Sequence, residues 1–161
     1  MSDDLDPWDK AILEAMATGN DLVTLDELSD RTGISTTILE ALAREGLLIP
    51  RTLEPEERYE LADSEALQAG FELLGAGLPL AELLELAREM NEAMQPIAAR
   101  AVTVFERFVR DSVEASAGSE EEATERLTRA FEKMLPATGR LVDRHFRRLL
   151  IAHAENRLKE R

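Results

Sequence analysis

Thr24 and Glu27, three residues apart and just ahead of an apolar run, constrain this chain more than any other feature. A threonine hydroxyl at a helix N-cap accepts from the amide of the third helical residue, and a glutamate at that position reaches back to the cap's own amide. The pair therefore predicts a helix starting at Leu25. Gly33 predicts its end, because glycine takes the left-handed conformation that helix ends commonly require. Ser35 is placed to cap a second helix running to about Ala43. Two short helices around a three-residue turn form the arrangement that offers its second helix to the DNA major groove.

Beyond Leu47 the helical pattern lapses. Pro50 and Pro55 oppose regular helix, and Glu54, Glu56 and Glu57 make a charged tip. Asp63 or Ser64 is placed to cap a third helix through Leu74, ended by Gly75 and Gly77, and Pro79 opens the next. These residues together resemble the winged-helix head of the MerR (mercuric-resistance regulator) family of bacterial transcription factors. The carriers are Leu28, Gly33-Ile34-Ser35, Leu39, the run Arg44-Glu45-Gly46-Leu47-Leu48-Ile49-Pro50, Arg58-Tyr59 with Asp63, and Gly77-Leu78-Pro79-Leu80 ahead of Leu83-Leu84. They cover residues 22–87 in continuous order.

The resemblance implies a DNA-binding regulator of transcription that acts as a homodimer on double-stranded DNA. Ser35, Thr36, Thr37 and Ile38 would then enter the major groove. Arg44, Arg51, Arg58 and Tyr59 would hold phosphates, and the segment between Arg51 and Arg58 would form a two-stranded wing. In the family an arginine usually stands where this chain has Thr37, and an arginine followed by a tyrosine where it has Glu40 and Ala41. A carboxylate at Glu40 repels a phosphate. Between residues 20 and 60 ten acids face four arginines, a net of −6, whereas a DNA-docking face is usually basic. Two readings follow: four arginines gathered on one face against the backbone, or a solvated rim in which they pair with neighbouring glutamates. The second leaves a protein-interaction module with a degenerate helix-turn-helix.

Across the whole chain the formal charge is −14, which argues against broad nonspecific binding to nucleic acid or anionic membranes. Its distribution is uneven. Residues 136–161 carry seven bases and three acids, a net of +4, so the rest carries −18. That asymmetry suits pairing of a basic helix with acidic ones, within or between subunits. With no cysteine there is neither a disulfide framework nor thiolate sensing of metals or oxidants. No apolar run approaches the ~20 residues of a membrane helix, and no signal segment opens the chain. The expectation is a cytoplasmic protein without cofactor.

The fold expected is mainly α: an extension helix in residues 1–21, a winged helix-turn-helix domain in 22–87, and in 88–161 a long helix followed by a helical bundle for dimerisation, with a small apolar effector or a protein partner as options. Pro7 opens the extension, which carries Trp8, Ile12, Leu13 and Met16 on one stripe and ends at Gly19 and Asn20. Apolar residues recurring every three or four positions over 79–116 predict one long helix kinked at Pro96, or two abutting helices. Ser119 and Glu122 form another capping box, for a helix to about Leu135. Residues 136–139 read as a turn, and a last helix would carry Leu141, Val142, Phe146, Leu149, Leu150, Ala154 and Leu158 inward. Met90, Met94, Phe105, Phe108, Phe131 and Phe146 are candidates to line an effector pocket. His145 and His153, eight apart, do not share adjacent turns as metal ligands do. Phosphate-loop, nucleophile-elbow and dinucleotide motifs do not occur, so no catalytic residue is assigned.

Overall fold

The capping box forms as the sequence predicts. The Glu27 amide donates to Thr24 Oγ1 at 3.2 Å and the Thr24 amide donates to Glu27 Oε2 at 2.8 Å, which holds the exposed Glu27 carboxyl below its ordinary range. The computed structural model describes residues 5–17 and 21–161. In order they form α1 (Pro7–Ala17), β1 (Leu22–Val23), α2 (Leu25–Thr32), α3 (Thr36–Arg44), β2 (Tyr59–Glu60), α4 (Asp63–Gly75), α5 (Leu80–Phe105), a π-helical turn (Glu106–Arg110), α6 (Asp111–Ser116) and α7 (Glu120–Lys159). The fold is mainly α. Gly19 and Asn20, the expected end of α1, lie outside the described residues.

The chain divides into two compact units, residues 19–103 and residues 1–18 with 104–161. In the first, α2, α3 and α4 enclose a core of Val23, Leu28, Ile34, Leu39, Leu42, Leu48, Tyr59 and Leu67. Residues Leu39 and Leu42 sit three apart on α3 and so share its inward face. The sheet is antiparallel, with Leu22 opposite Glu60 and Val23 opposite Tyr59. At Gly33 φ is 74°, and its amide donates to the Ser29 carbonyl, ending α2. Asp63, expected as a possible cap, lies inside the first turn of α4. Ala62 holds the cap position without a side-chain bond.

In the second unit α1 lies along α7 over a core of Trp8, Ala11, Val113, Ala123, Leu127 and Phe131. Trp8 and Phe131 meet at 4.6 Å between ring centroids, tilted by 52°, within the range that favours offset aromatic pairs. Arg110 fastens this unit, reaching Asp6 at 2.6 Å, Glu106 at 2.9 Å and Glu114 at 3.1 Å. Ser119 caps α7 by accepting from the Glu122 amide at 3.1 Å. The reciprocal arm differs from the expected box: Glu122 Oε2 takes the Gly118 amide, at 2.9 Å.

Residues 136–139 form no turn. Helix α7 runs through them for 40 residues, about 60 Å at 1.5 Å per residue. Pro136 removes the amide that would bond the Glu132 carbonyl, but Glu132 and Leu135 to Ala137 are exposed, so water can take that carbonyl. The Thr138 hydroxyl donates to the Met134 carbonyl at 2.8 Å. Strong helix formers on both sides carry the helix across. Pro96 is likewise absorbed inside α5, so residues 80–105 are one helix. The last stretch therefore does not fold back into a bundle. Leu141, Phe146, Leu149, Leu150 and Leu158, expected inward, are exposed. The expected effector pocket does not gather either. Phe131 is buried while Phe108 and Phe146 are exposed, and Phe131 and Phe146 lie about 22 Å apart along one helix.

Candidate nucleic-acid interface

Helix α3 is built to show one face. Ser35 Oγ accepts from the Ile38 amide at 3.4 Å, starting the helix, and Ser29 Oγ donates to the Ile34 carbonyl at 2.6 Å, tying the turn to α2. With Leu39 and Leu42 inward, the 100° step per residue brings Thr36, Thr37, Glu40 and Arg44 to the outer side. Thr37, Glu40 and Arg44 are exposed and Thr36 is half-buried. Ile38 packs partly against the core. Glu40 thus stands in the middle of the face that a major groove would meet.

The wing is smaller than a two-stranded ribbon. Its closure is a single bridge, Thr52 to Arg58: the Arg51 amide donates to the Arg58 carbonyl at 2.8 Å and the Arg58 amide to the Thr52 carbonyl at 3.0 Å. Pro55 has no amide to extend the ladder, and the next residues, Tyr59 and Glu60, pair with β1 instead. Between α3 and the wing a shallow concavity is lined by Glu40, Ala43, Arg44, Pro50, Glu57 and Tyr59.

The arginines proposed from sequence fall around this concavity in different states. Arg51 Nε meets Glu60 Oε1 at 3.0 Å, and Arg58 Nη2 meets Glu56 Oε1 at 2.6 Å. Arg44 is exposed and makes no ion pair among the described residues. Tyr59 is only 2% exposed; its hydroxyl donates to Glu57 Oε2 at 3.0 Å. Burial first, and the Glu57 bond second, push its pKa up to about 12, so it remains a neutral donor at any ordinary pH. Asp63, behind the wing, has its carboxyl held above the usual range by burial and then by the Glu60 carboxylate.

Sequence reasoning did not single out Asn91. Its side-chain amide lies directly where a Cβ on Gly46 would be, so α5 meets the turn that carries the chain from α3 to the wing. The signal available was Gly46 alone, whose φ of 78° is unremarkable for a helix end; the contact itself is made across 45 residues and leaves no local trace.

These elements make a helix-turn-helix head with a short wing. Residues 23–90 match the family model described as MerR HTH family regulatory protein. The head is therefore MerR-like, over somewhat less than half of the chain. No curated protein matches the chain.

Proposed function

We propose that the protein is a dimeric, non-enzymatic regulator of transcription that reads double-stranded DNA through α3, acting where the cell keeps its DNA. The observation that carries this reading is the outer face of α3, held by the Ser35 cap and the Ser29 tie, within a segment that matches the MerR regulatory family. Thr36 and Thr37 would meet base edges. Arg44, which makes no ion pair among the described residues, would take a phosphate directly; Arg51 and Arg58 would first exchange Glu60 and Glu56 for phosphate oxygens. Tyr59 would act by anchoring the wing rather than by touching DNA. The exposed apolar stripes on α5 and α7 favour a dimer. Selection from a pool of random duplexes at low and moderate salt tests the reading: an enriched palindrome supports it, and no binding at low salt overturns it.

A second reading has its own observation. Glu40 occupies the centre of the reading face, and two of the three rim arginines are already paired with glutamates. A protein-interaction module that keeps the head's fold without DNA affinity would look like this. Glu40→Arg separates the two, because a DNA reader gains affinity from it while an interaction module that uses this face loses its partner.

A further inference from the structure

We propose that the second half of α7 packs antiparallel along α5 of a second copy of this chain. The proposal rests on the dimeric reading above and supplies its seam. Beyond Phe131 no residue of α7 is buried, yet Leu135, Phe146 and Leu149 are 56%, 46% and 43% exposed. A helix segment with no buried residue, carrying a proline and a glycine, does not hold itself together well in water, so this half calls for a partner.

The two helices carry matching seams. On α7, Leu135, Val142, Phe146, Leu149 and His153 recur at the three- and four-residue intervals of a coiled-coil stripe, with Gly139 filling the remaining position. On α5, Leu86, Met90, Ala93, Ile97 and Val104 follow the same repeat with Arg100 at the remaining position, and Leu86, Met90 and Ile97 are exposed. Each stripe runs about 27 Å. Laid antiparallel, one register makes six layers: Leu135 on Val104, Val142 on Ile97, Phe146 on Ala93, Leu149 on Met90 and His153 on Leu86, with Arg100 set against Gly139. The largest side chain of one stripe meets the smallest of the other.

Charge selects the same partner and direction. The end of α7 holds Arg157 and Lys159, with Arg161 just beyond, and the antiparallel register lays it over Glu82, Glu85 and Glu89 at the start of α5. Lys159 and Glu82 then flank the same edge of the seam. Arg140, Arg144, Arg147 and Arg148 lie on the opposite side of α7 and do not meet the apolar stripe. A copy of this chain thus offers both the apolar strip and the negative charge that the basic half lacks.

The absence of native cysteine makes the test clean. Full-length Met90→Cys and Leu149→Cys variants, carrying different tags, are mixed and oxidised. The expected product is a crosslink between the two variants, formed several-fold in excess of either variant with itself. A product dominated by Leu149→Cys with itself, or no crosslink, overturns the seam. Sedimentation of the unsubstituted chain separates the two levels: a dimer without the crosslink leaves the dimeric reading standing and removes this seam, whereas a monomer removes both. In a second measurement, Lys159→Glu weakens dimerisation on the order of threefold, and Glu82→Lys in the same chain restores it. Both residues are exposed, so folding is not at stake; failure of the restoration counts against the antiparallel register.

Discussion

The Tyr59 hydroxyl donates to Glu57 Oε2 at 3.0 Å while its ring is sealed in the head core, 2% exposed. This joins the wing tip to the packing of α2, α3 and α4, so the wing's position depends on the core rather than on its own single bridge. The group is neutral below its unfolded pKa of 10 and in the fold titrates only near 12. Because the folded pKa is the higher, its stabilising contribution is intact below pH 10 and is lost as pH rises toward 12. The chain has one tyrosine, so ultraviolet difference titration reports this group alone. Ionisation should coincide with head unfolding in that window; a phenolate appearing near pH 10 in a folded protein would contradict it. Tyr59→Phe should cost about 1 kcal/mol, and Tyr59→Ala about 3–5 kcal/mol through the cavity it leaves, both measured by denaturant unfolding.

Gly33 and Gly46 have nearly the same φ, 74° and 78°, but different surroundings. A Cβ on Gly33 meets nothing, while one on Gly46 strikes the Asn91 amide. Gly33→Ala should cost about 1–2 kcal/mol, the left-handed penalty alone. Gly46→Ala should cost an additional ~1–3 kcal/mol from overpacking. Combining it with Asn91→Ala should recover part of that excess, and urea midpoints of the single and double variants measure the coupling.

The head was legible in the sequence because its elements are specified locally. Thr24, Glu27, Gly33 and Ser35 each act within four residues, and the structure reproduces the caps they encode. Where the sequence misled, the deciding term was not local. Pro136 and Gly139 read as a break, yet exposure lets water replace the lost hydrogen bond and the helix continues. A phosphate role for Tyr59 is implied by the resemblance alone; its alternation with Glu60 on β2, which turns its ring into the core, is set by the pairing with β1. The ion pairs of Arg51 and Arg58 were foreseeable only as one of two options, since acids flank both arginines and sequence does not say which side chain each will meet.

Thr24 is not one of the proposed DNA contacts, so its loss tests stability apart from function. Thr24→Ala should destabilise the head by about 0.5–2 kcal/mol with no change in the salt dependence of DNA binding. A thermal melt with a salt titration of affinity checks both; a changed slope would place Thr24 at the interface.

Arg44 and Arg58 differ in what they give up on binding DNA. Arg44 loses only water, while Arg58 must release Glu56 at 2.6 Å. Arg44→Ala should therefore weaken binding more than Arg58→Ala, across all sequences alike. The double variant should lower the slope of log affinity against log salt by about 2, one phosphate for each arginine. Unchanged affinity in the double variant would remove both from the interface, and Glu56→Gln should strengthen binding by freeing Arg58.

Pro136 sits where α7 leaves the core that α1 covers, the last buried residue being Phe131. An interior proline costs a helix about 3 kcal/mol relative to alanine, and here no residue of α7 beyond it is buried to offset that cost. Pro136→Ala should thus protect the amides of residues 137–150 from hydrogen exchange in the free protein, while amides in the Trp8–Phe131 core exchange as before. If α7 is instead held by the second copy, protection in the unsubstituted protein will rise with concentration, and the difference between it and Pro136→Ala will narrow as the dimer forms. Equal protection at high dilution would show that Pro136 does not limit the helix.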